Sequence, residues 1–312
     1  MRIESKQIRD ILEDLKISYN WPNYRETSYE IASLFEPINN GFYFYIGSLN
    51  FNFELADSLI LVSSNTVVNS KKNDFIYLNH KNPQEIFYKI LSYLHKRTSN
   101  GHVSKTSVIS KTAFLDASVQ VDDFCVIEDR VVLEKGVIIG SHCRIHANTV
   151  VKENSIVESG SVIGAQGVAW VWDDSQKTKI VQPQLGGVLI NKNCFIGAGA
   201  IIVRGSLNEN TVIGENTLLA PGVRLGHGTK VGSFVHFANN VVTGGNVEIG
   251  DYSFIGSSAT LLPKVKVHEK TIVGAGSLVV KNTAKSGLTL VGLPAKETTT
   301  KEAPKGMPKP KD

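Results

Sequence analysis

The feature that most constrains the fold is a six-residue period between residues 207 and 279. A large apolar residue returns at every sixth position, and Thr243 alone interrupts the column. A period of six matches neither the turn of an α-helix nor the two-residue alternation of an ordinary strand. A fixed repeat this short predicts the stacked coils of a parallel β-helix. The column consists of Leu207, Ile213, Leu219, Leu225, Val231, Phe237, Ile249, Ile255, Leu261, Val267, Val273 and Val279.

A second block with the same period runs from Ile109 to Ile163 without a slip. Two residues before each large apolar position stands a small or β-branched residue, and alternation along a strand places both on one face. Each hexad therefore predicts one short strand, with the large side chain in the interior and the smaller one at a corner. We expect a mainly β protein with a β-helix over residues 105–296.

The period stops between Gly164 and Gly187, where an insertion carries Trp170 and Trp172. An insertion into a solenoid is extruded as a loop from one corner, and such loops cluster on the binding face. Two interpretations of the insertion remain open: a lid that contacts substrate, and a flap that packs between subunits.

The first 97 residues lack the period and predict a small α/β domain. We expect a linker at residues 98–104 and a flexible tail at 297–312, which is rich in proline and lysine. A solenoid has open ends and flat outer faces, and these predict a homo-oligomer. The elements expected in the first domain are helices over residues 5–16 and from Asn82 onward, and strands over 42–46, 59–62 and 75–78.

Composition argues against several kinds of partner. The formal charge of +4 comes without a basic run inside the repeats, so nucleic-acid binding is not expected. No apolar run is long enough for a transmembrane helix, and the first residues lack the apolar region of a secretory signal, which predicts a cytoplasmic protein. Cys125, Cys143 and Cys194 fall in the column of smaller residues, which predicts inert buried thiols and no metal site.

One histidine stands where catalysis could take place. His227 follows the core position Leu225 by two residues, at a corner, between Gly226 and Gly228. Histidine is the side chain best suited to act as a base near neutral pH. Gly245 lies one coil further, and its N–H could stabilise an oxyanion, so the pair fits acyl transfer. The alternative is a solvated surface histidine.

Two further groups of residues have a functional and a structural interpretation. His236 lies nine residues after His227 and could approach an active site from another chain, or could be an exposed polar residue on a solenoid face. Tyr43, Tyr45 and Phe51 form an aromatic cluster that could stack on a nucleobase or pack in the core of the first domain.

These segments resemble the hexapeptide-repeat acyltransferases, and among them the UDP-3-O-acylglucosamine N-acyltransferases of lipid A synthesis. The resemblance lies in the helix HKNPQEIFYKILSYL, the insertion GAQGVAWV…PQLGGVLI, the segment IGAGAIIVRG and the histidine turn. It implies a left-handed β-helix that assembles as a homotrimer with active sites between subunits. It also implies that His227 is the general base and that the Gly245 N–H is the oxyanion donor.

The resemblance further implies that the first domain binds a sugar nucleotide, with uridine stacked at Tyr45 and Phe51 and with Ser48 between them. The chain departs from the family's aromatic-x-x-Asn-x-x-Tyr motif, because Ser48 replaces the asparagine and Phe51 the tyrosine.

The end of the repeats departs from the lipid A enzymes as well. The segment LVGLPAKE is similar to the Gly-Asn-Pro-Ala-Lys ending of coenzyme A-dependent sugar acetyltransferases, in which a histidine at the spacing of His236 also occurs. This second resemblance implies coenzyme contacts at Gly274, Gly276 and Lys296.

The sequence thus predicts an N-acyltransferase that acts on the amine of a nucleotide-linked amino sugar in lipopolysaccharide or other surface-glycan synthesis. The expected donor is acyl-CoA or an acyl-[acyl carrier protein], and no permanently bound cofactor is expected. Two alternatives are an acetyl-CoA-dependent sugar O- or N-acetyltransferase and a non-catalytic solenoid that binds nucleotide sugars.

Overall fold

The computed structural model describes residues 1–47, 55–68 and 70–298. Contacts within the chain divide it into two compact units, with the boundary after Arg97. Among the described residues, no helix has the length and apolar character that crossing a bilayer requires.

The first unit is a six-stranded sheet with two helices. Its strand order is β1-β3-β4-β5-β6-β2, with the four central strands parallel and the two edge strands antiparallel to their neighbours. The elements are β1 Arg2–Glu4, α1 Ser5–Asp14, β2 Tyr19–Asn20, β3 Ser28–Ile31, β4 Gly41–Phe44, β5 Leu59–Ser63, β6 Asp74–Leu78 and α2 Pro83–Leu94.

The core of this unit comes from the apolar stripes of both helices and from the parallel strands. Helix α1 buries Ile8 and Leu12, and α2 buries Ile86 and Ile90, as expected for amphipathic helices lying on a sheet. Asn82 is the N-cap of α2, as expected, with Pro83 and Glu85 in the first turn, although the Asn82 side chain makes no capping hydrogen bond. The sequence missed β1, β2 and β3, which are short edge or near-edge strands.

The second unit is a solenoid in which each of the first eight coils contributes one strand to each of three sheets, and the last coil contributes to the first and third. The first sheet contains β7 Val108–Ile109, β10 Val126–Ile127, β13 Arg144–Ile145, β16 Val162–Ala165, β21 Ile201–Val203, β24 Arg224–Leu225, β27 Val242–Thr243, β30 Thr260–Leu261 and β33 Leu278–Val279. The second sheet contains β8 Phe114–Leu115, β11 Val132–Leu133, β14 Thr149–Val151, β19 Gly187–Ile190, β22 Asn210–Ile213, β25 Lys230–Val231, β28 Glu248–Ile249 and β31 Lys266–Val267. The third sheet contains β9 Gln120–Val121, β12 Ile138–Ile139, β15 Ile156–Val157, β20 Phe195–Ile196, β23 Leu218–Leu219, β26 His236–Phe237, β29 Phe254–Ile255, β32 Ile272–Val273, β34 Thr289–Gly292 and β35 Ala295–Thr298.

Strands of neighbouring coils pair in parallel and in register, so that Leu225, for example, lies directly above Ile202. The large apolar column forms one continuous interior from Val119 to Leu290. The three thiols belong to this interior, and each is about 1% exposed. Many corners contain a residue with positive φ, often asparagine or glycine, which adopt this conformation at little cost.

The structure corrects the predicted column at Leu207, whose side chain is 52% exposed. Leu207 lies in a loop between β21 and β22, so the column of residues 207–279 enters the interior only at Ile213. Glu209 accounts for this conformation, because its carboxylate accepts hydrogen bonds from the backbone amides of Ser206 and Leu207.

Both ends of the solenoid differ in detail from the expectation. In the segment predicted as a linker, Val103 pairs with Val121 of the first coils. At the other end, β34 and β35 form an antiparallel hairpin that continues to Thr298, two residues past the expected end of the repeats.

Candidate active site

The irregular segments of the second unit collect at one corner, where the chain passes from the first sheet to the second. We call it the catalytic corner and define it by the turns 164–187, 204–209, 226–229 and 244–247 on four successive coils. The insertion, the loop of Leu207, His227 and Gly245 therefore lie on adjacent rungs. The sequence predicted that His227 and Gly245 would be neighbours, but it did not place the two irregular segments beside them.

Two buried threonine hydroxyls hold the turn of His227 in place. The Gly226 N–H donates to Thr243 Oγ1 at 3.0 Å, and the Gly228 N–H donates to Thr211 Oγ1 at 3.0 Å. Thr243 is the residue that interrupts the apolar column, and the structure gives the reason: its hydroxyl accepts the amide in front of His227. The break in the apolar column at Thr243 was therefore visible in the sequence, but the sequence analysis did not connect it with His227.

The imidazole of His227 lies directly against Gly245. A Cβ added to Gly245 would lie 2.2 Å from His227 Nε2, so only glycine leaves room for the ring as it stands. The next residue, Asn246, donates its N–H to the carbonyl oxygen of His227 at 2.7 Å, which fixes the two turns to each other. Within the described part of the chain, the Gly245 N–H has no acceptor. A ring nitrogen and an amide without an acceptor thus lie on neighbouring rungs, and these are two groups that acyl transfer can use.

The other ring nitrogen of His227 has a partner that sequence reasoning missed. Ser206 Oγ lies 3.0 Å from His227 Nδ1. The backbone amides of Ser206 and Leu207 in turn donate to Glu209, at 2.7 Å and 3.0 Å. Hydrogen bonds from its own amide and that of Leu207, together with the amide and hydroxyl of Ser206, hold the pKa of the Glu209 carboxyl below its ordinary value. The spacing Ser206-x-x-Glu209 is that of a capping box and was a readable signal for this loop.

The insertion leaves the coil at the same corner and forms a hairpin of β17 Ala169–Asp173 and β18 Thr178–Gln182. Its returning leg is tied to the neighbouring loop, since the Leu185 N–H donates to Ser206 O at 2.9 Å. Arg204 anchors its start by donating from Nε to Gly164 O at 2.8 Å. Trp170 and Trp172 are each 49% exposed. The hairpin therefore presents apolar side chains while its base adjoins the loop that contacts His227.

His236 lies on a different face of the same solenoid. It points outward from β26, and its ring stacks on Phe254 with centroids 5.2 Å apart. Burial lowers the pKa of His236. Neighbouring outward positions of the third sheet are apolar, at Ile156, Phe195 and Leu218. The structure does not bring His236 to the catalytic corner within one chain.

The three residues expected to contact a coenzyme lie at the C-terminal end of the solenoid. Gly274 adjoins Val291, whose Cγ1 would lie 2.9 Å from a Cβ added to that glycine, and Lys296 pairs with Val291 across the final hairpin. Gly276 faces open space, with no atom within 4 Å of an added Cβ. These residues adjoin the corner between the third and first sheets and not the catalytic corner.

The aromatic residues of the first unit that the sequence singled out lie in different environments: Tyr43 belongs to the core, and Tyr45 lines a cavity. Tyr43 is fully buried and exchanges hydrogen bonds with the backbone of Ile38, which matches the packing interpretation for this residue. Tyr45 lines a cavity of about 270 Å³ together with Lys81. The other predicted nucleotide contacts, Ser48 and Phe51, lie outside the described residues.

Comparison with known proteins connects this architecture to a family of repeats. Residues 118–153 and 210–245 match the model of the bacterial transferase hexapeptide (six repeats). The structure is similar to a solved UDP-N-acetylglucosamine acyltransferase, with 26% identity, a TM-score of 0.57, and coverage of 63% of this chain and 73% of that one.

Two further solved structures show the same likeness of fold. LpxA from Acinetobacter baumannii is 24% identical, with a TM-score of 0.56 and coverage of 62% of this chain and 72% of that one. The UDP-N-acetylglucosamine acyltransferase from Francisella novicida is 24% identical, with a TM-score of 0.56 and coverage of 63% and 69%. The chain therefore carries bacterial transferase hexapeptide repeats, and its predicted fold class, a left-handed parallel β-helix with a small α/β domain, is confirmed.

Proposed function

We propose that this protein is an N-acyltransferase that moves an acyl group from a thioester donor to the amine of a nucleotide-linked amino sugar. The observation that carries the proposal is the contact of His227 Nε2 with Gly245, because it places a base beside an unpaired amide. The hexapeptide match and the similarity to a UDP-N-acetylglucosamine acyltransferase support the same class of reaction.

The reaction follows from the two groups at the catalytic corner. The substrate amine attacks the carbonyl carbon of the thioester, and His227 Nε2 takes the proton that the amine loses. Negative charge develops on the carbonyl oxygen, which accepts a hydrogen bond from the Gly245 N–H. When the carbon–sulfur bond breaks, the departing thiolate takes the proton from the imidazolium, and His227 returns to its starting state.

The outward face of the third sheet supports assembly into the homotrimer that the resemblance implies. Phe195, Leu218 and Phe254 line this face around His236, and Leu218 is 43% exposed. We propose a second copy of the chain as the occupant, because such a row of apolar side chains is suited to burial against a protein surface. A neighbouring chain would then bring its His236 to the sugar held at the catalytic corner of the first.

The donor and the nucleotide are assigned to two other places. We propose that the final hairpin, with Gly274, Gly276 and Lys296, contacts an acyl-CoA, since the lysine supplies a positive charge for its phosphates. A short-chain donor such as acetyl-CoA fits this arrangement, and acyl-[acyl carrier protein] is the competing donor. The cavity of Tyr45 and Lys81 in the first unit would take the nucleotide, by stacking and by charge.

The test is the His227→Ala variant. We expect kcat to fall by about 10²–10⁴-fold, the usual contribution of a general base, while the oligomer remains intact. His142→Ala is the matched control, because His142 is an exposed turn histidine that stacks on Phe124 away from the catalytic corner. Each variant is assayed with acetyl-CoA and with a 3-hydroxyacyl carrier protein on a panel of nucleotide amino sugars. Unimpaired turnover by His227→Ala would contradict the proposal, and nucleotide-sugar binding without turnover on any donor would favour a non-catalytic solenoid.

A further inference from the structure

Arg204 lies where the chain leaves β21 for the catalytic corner, and two backbone carbonyl groups hold its partly buried side chain. Nε donates to Gly164 O at 2.8 Å, and Nη2 donates to Ala147 O at 3.3 Å. These bonds use only part of the N–H donors of a guanidinium. Among the described residues, no carboxylate pairs with Arg204, and Glu209 of the same loop accepts backbone amides instead. The positive charge of Arg204 is therefore not neutralised within the described part of the chain.

The charged groups beside Arg204 offset one another. Arg144 donates from Nε and from Nη2 to Glu128 Oε1, at 3.0 Å and 2.7 Å, so these two charges cancel. His146 Nδ1 lies 3.1 Å from the same oxygen, and burial lowers the pKa of His146, so its ring is uncharged at neutral pH. His146 adjoins Gly164, because its Cβ would lie 3.1 Å from a Cβ added to that glycine. The group as a whole thus keeps one positive charge, that of Arg204.

Arg204 is also close in the chain to the loop that contacts His227. It precedes Ser206 by two residues, so their Cα atoms are at most about 7 Å apart. Ser206 Oγ lies 3.0 Å from His227 Nδ1, and the Arg204 N–H donates to Ala165 O at 3.1 Å, which fixes the backbone at this point. In a nucleotide-linked sugar, a phosphate is bonded to the anomeric oxygen, a few bonds from a ring amine. An amine held at His227 can therefore place that phosphate at Arg204.

We propose that Arg204 binds the phosphate next to the sugar and so selects an acceptor that carries negative charge close to its amine. This inference rests on the proposed function, in which His227 takes the proton of that amine. The planar fork of a guanidinium matches two phosphate oxygens, and two carbonyl groups already hold this one in a fixed orientation. Partial burial reduces screening by water, which strengthens the attraction. A sugar without a phosphate would leave the charge of Arg204 unpaired.

Titration calorimetry with inorganic pyrophosphate tests the anion site without any turnover. We expect Arg204→Gln to weaken pyrophosphate binding about 10–100-fold, the usual contribution of charged hydrogen bonds, because glutamine keeps a donor for one carbonyl group but loses the charge. Arg204→Lys keeps the charge and should lose less. The matched control is Arg130→Gln, which removes an exposed arginine whose Nε donates to Asn148 Oδ1 two coils before the insertion. Unchanged binding by Arg204→Gln, or an equal loss in Arg130→Gln, would overturn the inference.

The wild-type protein gives a second readout that does not depend on how a variant folds. Pyrophosphate should protect Arg204, but not Arg130, from the arginine reagent phenylglyoxal, as followed by peptide mass spectrometry; equal modification of Arg204 with and without pyrophosphate would contradict the proposal.

Kinetics separate this inference from the proposed function. In Arg204→Gln, KM for a nucleotide-linked amino sugar should rise by about the factor seen in binding while kcat changes little, because uniform binding appears in KM alone. An active Arg204→Gln enzyme with an unchanged KM would refute the role of Arg204 and leave the transferase intact. The expected pyrophosphate pattern in a protein without transferase activity would instead uphold the anion site and refute the proposed function.

Discussion

Substitution of Gly245 by alanine isolates the geometry on which the proposed chemistry depends. The added methyl would lie 2.2 Å from His227 Nε2, 2.6 Å from Cε1 and 2.7 Å from Cδ2, far inside the ordinary contact distance of about 3.5 Å. Gly245 is not among the residues with positive φ, so alanine fits its backbone. The imidazole is only partly buried and can swing away. The variant should therefore fold, with the ring displaced by about 1 Å and the Gly245 N–H retained.

A displacement of that size at a reacting group costs about 10²-fold in rate, which corresponds to about 2.7 kcal/mol of transition-state stabilisation. We expect kcat of Gly245→Ala to fall by that factor, with a melting temperature within about 4 °C of the wild type. The control is Asn239→Ala, an exposed turn residue on another corner. Steady-state kinetics and thermal unfolding of both variants provide the measurement. An active Gly245→Ala enzyme would show that His227 does not act from the position seen here.

Two further variants test other parts of the second unit. Thr243→Val completes the apolar column but removes the acceptor of the Gly226 N–H. We expect the free energy of unfolding, measured with urea, to fall by about 1 kcal/mol, whereas Thr243→Ser keeps the acceptor and should retain the wild-type value. A valine variant more stable than the wild type would contradict this account. Burial lowers the pKa of His236 from its ordinary 6.5, so below pH 6.5 the unfolded chain takes up a proton at this position before the folded chain does, and stability falls until the folded pKa is passed. In the variant His236→Gln, the free energy of unfolding should fall less steeply as the pH drops below 6.5. An unchanged pH dependence would show that the burial of His236 is not its cause.

The sequence predicted the solenoid well because its constraint is local and repeated. Each rung pairs with the next in register, so an apolar residue every six positions is enough to place residues such as Leu225 and Ile255 in the interior. The same reasoning placed Gly245 next to His227, one coil away. It failed at Leu207, where a carboxylate three residues after Ser206 creates a loop that hydrophobic spacing cannot reveal.

The rest of the candidate site depends on relations that a period does not encode. The corner from which the insertion leaves is known only once the strands are assigned to their three sheets. Only the three-dimensional arrangement shows that Leu185, at the end of the insertion, bonds to Ser206. His236 was chosen by its spacing from His227 and Lys296 by resemblance, and within one chain both lie away from the catalytic corner. The edge strands of the first unit were missed because strands such as β2, Tyr19–Asn20, are too short to show alternation.

The insertion interrupts the sequence of the solenoid without interrupting its sheets. Ile163 still pairs with Ile202, and Val151 with Ile190, as though the intervening hairpin were absent. The strands on either side therefore pair without help from the tip of the hairpin, with a register shift only after Ile163. The start of the insertion is held by Arg204, which donates to Gly164 O, and its end by the Leu185 N–H, which donates to Ser206 O. We therefore expect that segments of different length can be exchanged between residues 168 and 183 without displacing Ser206 or His227, because the rungs on either side pair independently of the hairpin.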